Sequence, residues 1–141
     1  MSSRMHHVAV VNEQIADQGN YRTATGDDVS ILDQLEAARA GTVSYTPAHL
    51  DELVRNPAPG PGAPHLEVTA EGSIQAARRL HYTHARVGVL NFASARNPGG
   101  GYLRGARAQE EDLCRSALLY TCLTQAPDYY AAHRRSQALS S

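Results

Sequence analysis

The sequence contains little cysteine. Only two of its 141 residues are cysteines, Cys114 and Cys122, and they stand eight residues apart inside one predicted helix. Two side chains at that separation along a helix lie too far apart for a disulfide, and the spacing matches no zinc-binding pattern. We therefore expect both thiols to be reduced and partly buried.

The sequence also lacks a long hydrophobic run. Its first residues, MSSRMHHVAVVNEQIADQG, do not contain the uninterrupted apolar stretch of a signal peptide. No run of about 18 apolar residues, the length needed to span a bilayer, occurs anywhere. From these absences we expect a soluble cytoplasmic protein with no membrane partner.

Charge of one sign is not in excess either. Thirteen Lys and Arg residues are balanced by 14 Asp and Glu residues, which gives a formal net charge of −1. This balance argues against binding to duplex nucleic acid, which depends on many basic contacts to phosphate. Nucleotide-like ligands stay open, because a cleft can hold a few phosphates with backbone N–H groups. Seven histidines occur without a His-Glu-x-x-His pattern, so no metal site is predicted.

A chain of this length is expected to fold as one domain. Apolar residues recur at helical spacing in four segments, residues 4–17, 31–40, 47–54 and 73–81. Strand-like patterns occur in residues 42–45, 65–69 and 87–92, and the last is apolar enough for a central strand buried on both faces. The alternation of strands and helices favours an α/β architecture with a mostly parallel or mixed sheet.

Breaker residues separate these segments. Gly19 and Gly41 are plausible helix ends. The polar residues 21–29 contain a turn at Gly26-Asp27, and the Pro- and Gly-rich residues 57–64 read as an exposed connector. The tail from residue 129 to residue 141 has no clear strand pattern.

Residues 93–108 form a glycine-rich loop, called here the glycine loop. It lies between the strand predicted over residues 87–92 and a long helix predicted over residues 109–123. Strand, glycine-rich loop and helix is the order in which α/β proteins place ligands. The loop contains three consecutive glycines, whose missing Cβ atoms let the backbone approach a ligand closely: Gly99, Gly100 and Gly101.

Two familiar nucleotide-binding motifs are excluded at this loop. The dinucleotide fingerprint G-x-G-x-x-G requires glycine where Arg104 stands. A P-loop requires Lys and then Ser or Thr after its last glycine, where Ala106 and Arg107 stand. The glycines alone are also compatible with a flexible surface hairpin that binds nothing.

Two adjacent carboxylates, Glu110 and Glu111, open the helix after the loop. Adjacent helical positions point about 100° apart, so the two cannot share one task and must divide roles. Glu110 heads the apolar stripe of the helix, and Glu111 lies in line with Arg115. In the simplest interpretation they only stabilise the helix dipole, and Glu111 forms a surface pair with Arg115. Their conjunction with a triple glycine and a buried strand favours a functional site.

At these positions the sequence resembles the signature of poly(ADP-ribose) glycohydrolases. The resemblance rests on Asn91-Phe-Ala-Ser94, Asn97-Pro-Gly-Gly-Gly101, a spacer of seven residues and Gln109-Glu110-Glu111. It is dense over residues 87–130 and is similar to the compact bacterial branch of the family. It implies a macrodomain-like, three-layer α/β/α fold with a mixed sheet. The implied divisions are an accessory helical segment over residues 1–56, the connector over 57–64 and a partial macrodomain over 65–141.

The resemblance also implies an activity, the exo-acting hydrolysis of ribose–ribose O-glycosidic bonds that releases ADP-ribose. Glu111 would protonate the leaving ribose oxygen and then activate water, while Glu110 would hold ribose hydroxyls. The remaining ligands would bind the distal ribose and the diphosphate: Gln109, Asn97, Gly99, Gly100 and Gly101. No metal and no cofactor are implied. The implied partners are poly(ADP-ribose), ADP-ribose and ADP-ribosylated proteins, and neither a membrane nor duplex nucleic acid.

The sequence departs from the family in one respect. Family members continue well beyond the position of Ser141, with further strands, a second loop over the diphosphate and an aromatic residue for the adenine. We therefore expect a fragment, or one partner of a split enzyme whose second chain carries the C-terminal half. Three alternatives remain at this point: a module that binds ADP-ribose without cleaving it, an inactive fragment, and a hydrolase for another ADP-ribose linkage.

Overall fold

The computed structural model describes residues 4–57, 60 and 62–138, with side chains through residue 135. Its two strands form one small sheet, β1 Asn20–Arg22 and β2 Asp28–Ser30. The helices are α1 Arg4–Gln18, α2 Leu32–Ala40, α3 Pro47–Arg55, α4 Ser73–His81, the short 3₁₀ helix Tyr102–Arg104, α5 Gln109–Ala117, α6 Leu119–Leu123 and α7 Pro127–Ala138. The α/β class predicted from the sequence is confirmed.

The first four predicted helices are all present, with recognisable ends. Helix α1 stops at Gly19, which adopts a φ of 69°, a left-handed conformation that glycine adopts readily. A Cβ at Gly19 would also lie 2.8 Å from a methyl carbon of Leu32, so α1 and α2 meet closely there. Helix α3 begins at Pro47 after Thr46, whose hydroxyl accepts a hydrogen bond from the N–H of His49 at 3.3 Å.

The polar segment after α1 forms a hairpin that the sequence did not predict. Tyr21 is paired with Val29 in an antiparallel register, and the predicted turn at Gly26 is confirmed with a φ of 96°. The strands are three residues long and largely exposed on both faces. Without a buried face they carry no alternation of apolar and polar residues for sequence analysis to detect.

The three predicted strands over residues 42–45, 65–69 and 87–92 are wrong, because none of them forms a strand in the described residues. The segment expected to be buried on both faces leaves Leu90 76% and Phe92 71% exposed. A strand requires a neighbour to pair with its N–H and C=O groups, and no described segment lies beside residues 87–92 as a strand. The expected layer of mixed sheet is accordingly not formed among the described residues.

The long helix predicted over residues 109–123 is also corrected. It is divided into α5 and α6 at Leu118, which has a left-handed φ of 51°. Such a conformation is costly for a branched side chain, and leucine therefore gives no sequence signal for the break. Helix α7, Pro127–Ala138, begins just before the tail that starts at residue 129, for which no strand was expected.

The core lies directly behind the glycine loop. Ala9, Tyr102 and Cys114 are buried together. A second set packs around them from α6: Leu119, Tyr120 and Leu123. The core therefore joins α1, the 3₁₀ helix and α5 beneath the three glycines.

Both cysteines are free, as predicted, with Cys114 buried and Cys122 partly buried. Burial, together with the negative charges of Glu110 and Glu111, raises the pKa of the Cys114 thiol to about 12. Over the described part of the chain, no helix has the length and apolar character needed to cross a membrane.

Candidate active site

The two carboxylates at the start of α5 are buried. Glu110 is 3% and Glu111 7% exposed, whereas Asp112 in the same turn is exposed. Burial of a charged group without hydrogen-bond partners is very costly. The surface pair between Glu111 and Arg115, which belongs to the simplest interpretation, is not formed, because the Arg115 guanidinium donates instead to the carbonyl of Ala106 at 2.8 Å. Neither carboxylate is therefore an exposed charge on the helix surface.

Glu111 is held by the glycine loop at one oxygen. The N–H of Gly101 donates to Glu111 Oε1 at 2.8 Å, a distance typical of a charge-assisted hydrogen bond. No described residue donates a hydrogen bond to Oε2 of the same carboxylate. One oxygen of Glu111 is thus fixed, and the other is left for a ligand or water.

Glu110 is held at both oxygens by the segment that precedes the glycines. The N–H of Ser94 donates to Oε2 at 2.7 Å, and the Asn91 amide donates to Oε1 at a long 3.5 Å. Oδ1 of Asn91 is buried and accepts no hydrogen bond from the described residues. This segment therefore docks onto Glu110 and leaves one buried acceptor beside it.

The middle glycine of the loop lies against both carboxylates. Gly100 has a φ of 57°, and a Cβ there would lie 2.6 Å from Glu111 Oε1 and 3.3 Å from Glu110 Oε2. At Gly99 a Cβ would meet the ring of Tyr120 at 2.9 Å, and at Gly101 it would meet the Cβ of Ala106 at 2.6 Å. The missing side chain at Gly100 therefore lets the loop approach the two carboxylates, and the missing side chains at Gly99 and Gly101 leave room for Tyr120 and Ala106.

The side chain of Gln109 pairs with the backbone of residues 90–92. Its Oε1 accepts from the N–H of Phe92 at 2.9 Å, and its Nε2 donates to the carbonyl of Leu90 at 2.8 Å. The same Nε2 donates to the hydroxyl of Ser73 at 3.3 Å. The amide thus occupies the position that a neighbouring strand would take along an extended segment. The predicted contact of Gln109 with a ribose stays a prediction.

Asn97 lies at the exposed rim of the loop. Its carbonyl accepts from the N–H of Gly100 at 3.0 Å, and its own N–H donates to the hydroxyl of Ser94 at 3.2 Å. These backbone contacts form the turn that leads into the glycines, while its side chain is exposed. Its role as a ribose ligand stays a prediction.

The structure brings together Glu110, Glu111 and the three glycines, and adds residues that sequence reasoning did not assign. Ser94 and Asn91, which lie inside the recognised signature, hold Glu110. Tyr102 was also missed, although it follows the last glycine and is buried. Among the described residues, no group of three or more His, Cys, Asp or Glu side chains is arranged to hold a metal ion.

Comparison with known proteins places this geometry in a family. The model of the microbial-type poly(ADP-ribose) glycohydrolase (PARG) catalytic domain matches residues 9–141. The crystal structure of PARG from Thermomonospora curvata is similar at a TM-score of 0.85 and 40% identity, over 94% of this chain and 50% of that one. No curated protein matches the chain.

Two further structures of the same enzyme are also similar, each over 94% of this chain and 48% of the other. One is bound to the inhibitor ADP-HPD, with a TM-score of 0.83 and 38% identity. The other is a glutamate-to-alanine mutant, with a TM-score of 0.83 and 37% identity. The chain spans about half the length of these neighbours. The match over residues 9–141 and the shared fold show that this chain belongs to the microbial-type PARG catalytic-domain family.

Proposed function

We propose that this chain carries the catalytic carboxylates of a poly(ADP-ribose) glycohydrolase, which cleaves ribose–ribose O-glycosidic bonds and releases ADP-ribose from chain ends. Family membership supports the coarse activity, that of a glycosidase. The exo mode and the residue roles are part of the proposal. We also propose that this chain is active although it spans about half the length of its solved neighbours.

The observation that carries the proposal is the unequal environment of the two carboxylates. Both oxygens of Glu110 are engaged by Ser94 and Asn91, whereas Glu111 is held through Oε1 only. A carboxyl group that exchanges protons with substrate and water needs one oxygen that the protein does not occupy. The asymmetry therefore favours Glu111 as the acid and base, and Glu110 as the group that binds and orients the ribose.

In the proposed reaction, protonated Glu111 gives its proton to the ribose oxygen that leaves with the shortened polymer. The bond from the anomeric carbon to that oxygen breaks, and an oxocarbenium ion forms on the departing ADP-ribose unit. The Glu111 carboxylate then takes a proton from water, whose oxygen bonds to the anomeric carbon. The carboxyl group is regenerated, and one water is consumed for each ADP-ribose released.

The other predicted ligands complete the proposed site. The loop of Gly99, Gly100 and Gly101 has the close backbone approach that suits a ribose and a diphosphate. Asn97 at the rim is proposed to bind ribose hydroxyls, and Gln109 to position the distal ribose. The neighbour bound to ADP-HPD supports an ADP-ribose-like ligand, and ADP-ribosylated proteins are the proposed source of polymer.

A module that binds ADP-ribose without cleaving it is the alternative, because the chain spans only about half of its neighbours. Release of ADP-ribose from poly(ADP-ribose) separates the two, measured by chromatography beside polymer binding on a filter. The proposal predicts release by the wild-type chain, loss of release in Glu111→Gln, and wild-type release in Asp112→Asn, an exposed carboxylate one residue along. Binding without release would establish the binding module, and neither binding nor release would refute both.

A further inference from the structure

Tyr102 connects the glycine loop to the N-terminal helix. It directly follows Gly101, the residue whose N–H holds Glu111. The side chain is 1% exposed and lies against the ring of Tyr120, with ring centroids 5.4 Å apart. Its own N–H donates to the carbonyl of Gly99 at 2.9 Å. The position of the loop backbone therefore depends on the position of this ring.

The hydroxyl of Tyr102 ends on helix α1. It lies 3.2 Å from Oε1 of Glu13, to which it donates, and 3.4 Å from the carbonyl of Ala9 one turn earlier. The bond to Glu13 is the shorter of the two and has a charged acceptor, the stronger class of hydrogen bond. The ring of Tyr102 thus spans from the loop to a carboxylate on another element.

Helix α1 also forms hydrogen bonds to residues near this contact. The Asn12 amide donates to the carbonyl of Arg115 at 2.8 Å, which lies on α5 one turn beyond Glu111. The ring nitrogen Nδ1 of His6 lies 2.6 Å from the carbonyl of Leu103, in the 3₁₀ helix. One face of α1 therefore holds the loop at Tyr102 and Leu103, and holds α5 at Arg115.

From these contacts we propose that α1 acts as a clamp on the active site, with Glu13 and Tyr102 as positioning residues that hold the Gly101 N–H against Glu111. This inference rests on the proposed function, in which Glu111 is the acid and base. It assigns a task to the N-terminal segment, because α1 fixes the separation between the loop and the helix that carry the two ends of that hydrogen bond.

The chemistry of the contact suggests more than packing. A purely structural contact beneath the loop would be satisfied by phenylalanine facing an apolar residue, yet a carboxylate faces the hydroxyl. Burial raises the pKa of Glu13 above its ordinary value, while the Tyr102 hydroxyl lowers it. The charged neighbours of Glu13 are Asp17 on its own helix and Arg39 on α2. Glu13 is therefore kept at a site that disfavours its charge.

The test uses Tyr102→Phe, which keeps the ring and removes the hydroxyl, with Tyr120→Phe as the matched control. The hydroxyl of Tyr120 forms no hydrogen bond within the described part of the chain. The first readout is amide hydrogen exchange at Gly101, which needs no catalysis. The second is kcat and KM for ADP-ribose release. Loss of one such bond is expected to speed exchange and lower kcat about threefold to tenfold, with KM unchanged.

Two variants of Glu13 distinguish a positioning role of the Tyr102 hydroxyl from a general effect on stability. Glu13→Gln keeps an acceptor for the Tyr102 hydroxyl and is expected to retain wild-type exchange at Gly101, whereas Glu13→Leu is expected to match Tyr102→Phe. Equal exchange at Gly101 in wild type, Tyr102→Phe and Tyr120→Phe would overturn the clamp. If exchange responds as expected but the wild-type chain releases no ADP-ribose, the clamp stands and the proposed function fails.

Discussion

Replacement of Gly100 by alanine tests whether the loop must touch both carboxylates. Two costs are expected. The left-handed φ of 57° costs alanine about 1–2 kcal/mol. The new Cβ would also lie 2.6 Å from Glu111 Oε1, about 0.8 Å inside an ordinary contact of 3.4 Å. Either the loop or the carboxylate must move, and the bond from the Gly101 N–H to Glu111 is then stretched or lost.

The size of the effect follows from that bond. A hydrogen bond to a charged group contributes about 1.5–3 kcal/mol to stability. Gly100→Ala is therefore expected to lower the free energy of unfolding, measured in urea, by about that amount beyond the backbone cost. Displacement of a reacting group by nearly 1 Å is expected to lower kcat about 100-fold.

Gly26→Ala is the matched control for the backbone cost. Gly26 has a φ of 96°, and a Cβ there would meet no atom within 4 Å. It is expected to lose stability through backbone strain alone and to keep its ADP-ribose release. If Gly100→Ala releases ADP-ribose at the rate of Gly26→Ala, the argument that the loop positions Glu111 is refuted.

Two further predictions concern titrating groups. Cys114 is buried with a pKa of about 12. Only one thiol is therefore expected to react with a disulfide reagent at pH 8 in the native chain, and two after unfolding. Rapid reaction of both thiols in the native chain would contradict the burial of Cys114. The raised pKa of Glu13 means that folding favours its protonated form. Its contribution to stability is therefore fully present below its ordinary pKa of 4.5 and is lost as pH rises through the folded pKa. Glu13→Gln is therefore expected to raise the melting temperature more at pH 7 than at pH 4, and an equal change at both would count against this sign.

The helices could be predicted because their signals are local. The apolar spacing of α1 and the glycine after it, and the Thr46-Pro47 start of α3, act within a few residues of the elements they define. The same holds for the position of Glu110 and Glu111 at the start of α5. The sequence of each element and its flanking residues is therefore enough to predict it.

The absence of a strand over residues 87–92 could not be predicted, because strand formation depends on a neighbour that the segment's own sequence does not encode. Its apolar composition suggests burial, but no described strand pairs with it, and the Gln109 side chain takes part of that place. The break at Leu118 escaped prediction for a different reason, since leucine favours helix and its left-handed φ is imposed by packing.

The candidate site was predicted in its residues but not in its contacts. The glycines and glutamates follow from spacing and resemblance, whereas the shortest hydrogen bond to each carboxylate comes from a backbone N–H group, that of Ser94 to Glu110 and that of Gly101 to Glu111. Every residue except proline carries such a group, so side-chain identity does not reveal which ones are used. The distinction between Glu110 and Glu111 therefore required the structure.

The most direct test of the central claim compares Glu111→Gln with Glu110→Gln, with kcat for ADP-ribose release and Kd for ADP-ribose measured separately. Loss of an acid and base is expected to lower kcat about 10²- to 10⁴-fold in Glu111→Gln, with little change in Kd. In Glu110→Gln the larger change is expected in Kd. A greater fall in kcat for Glu110→Gln than for Glu111→Gln would contradict the assignment.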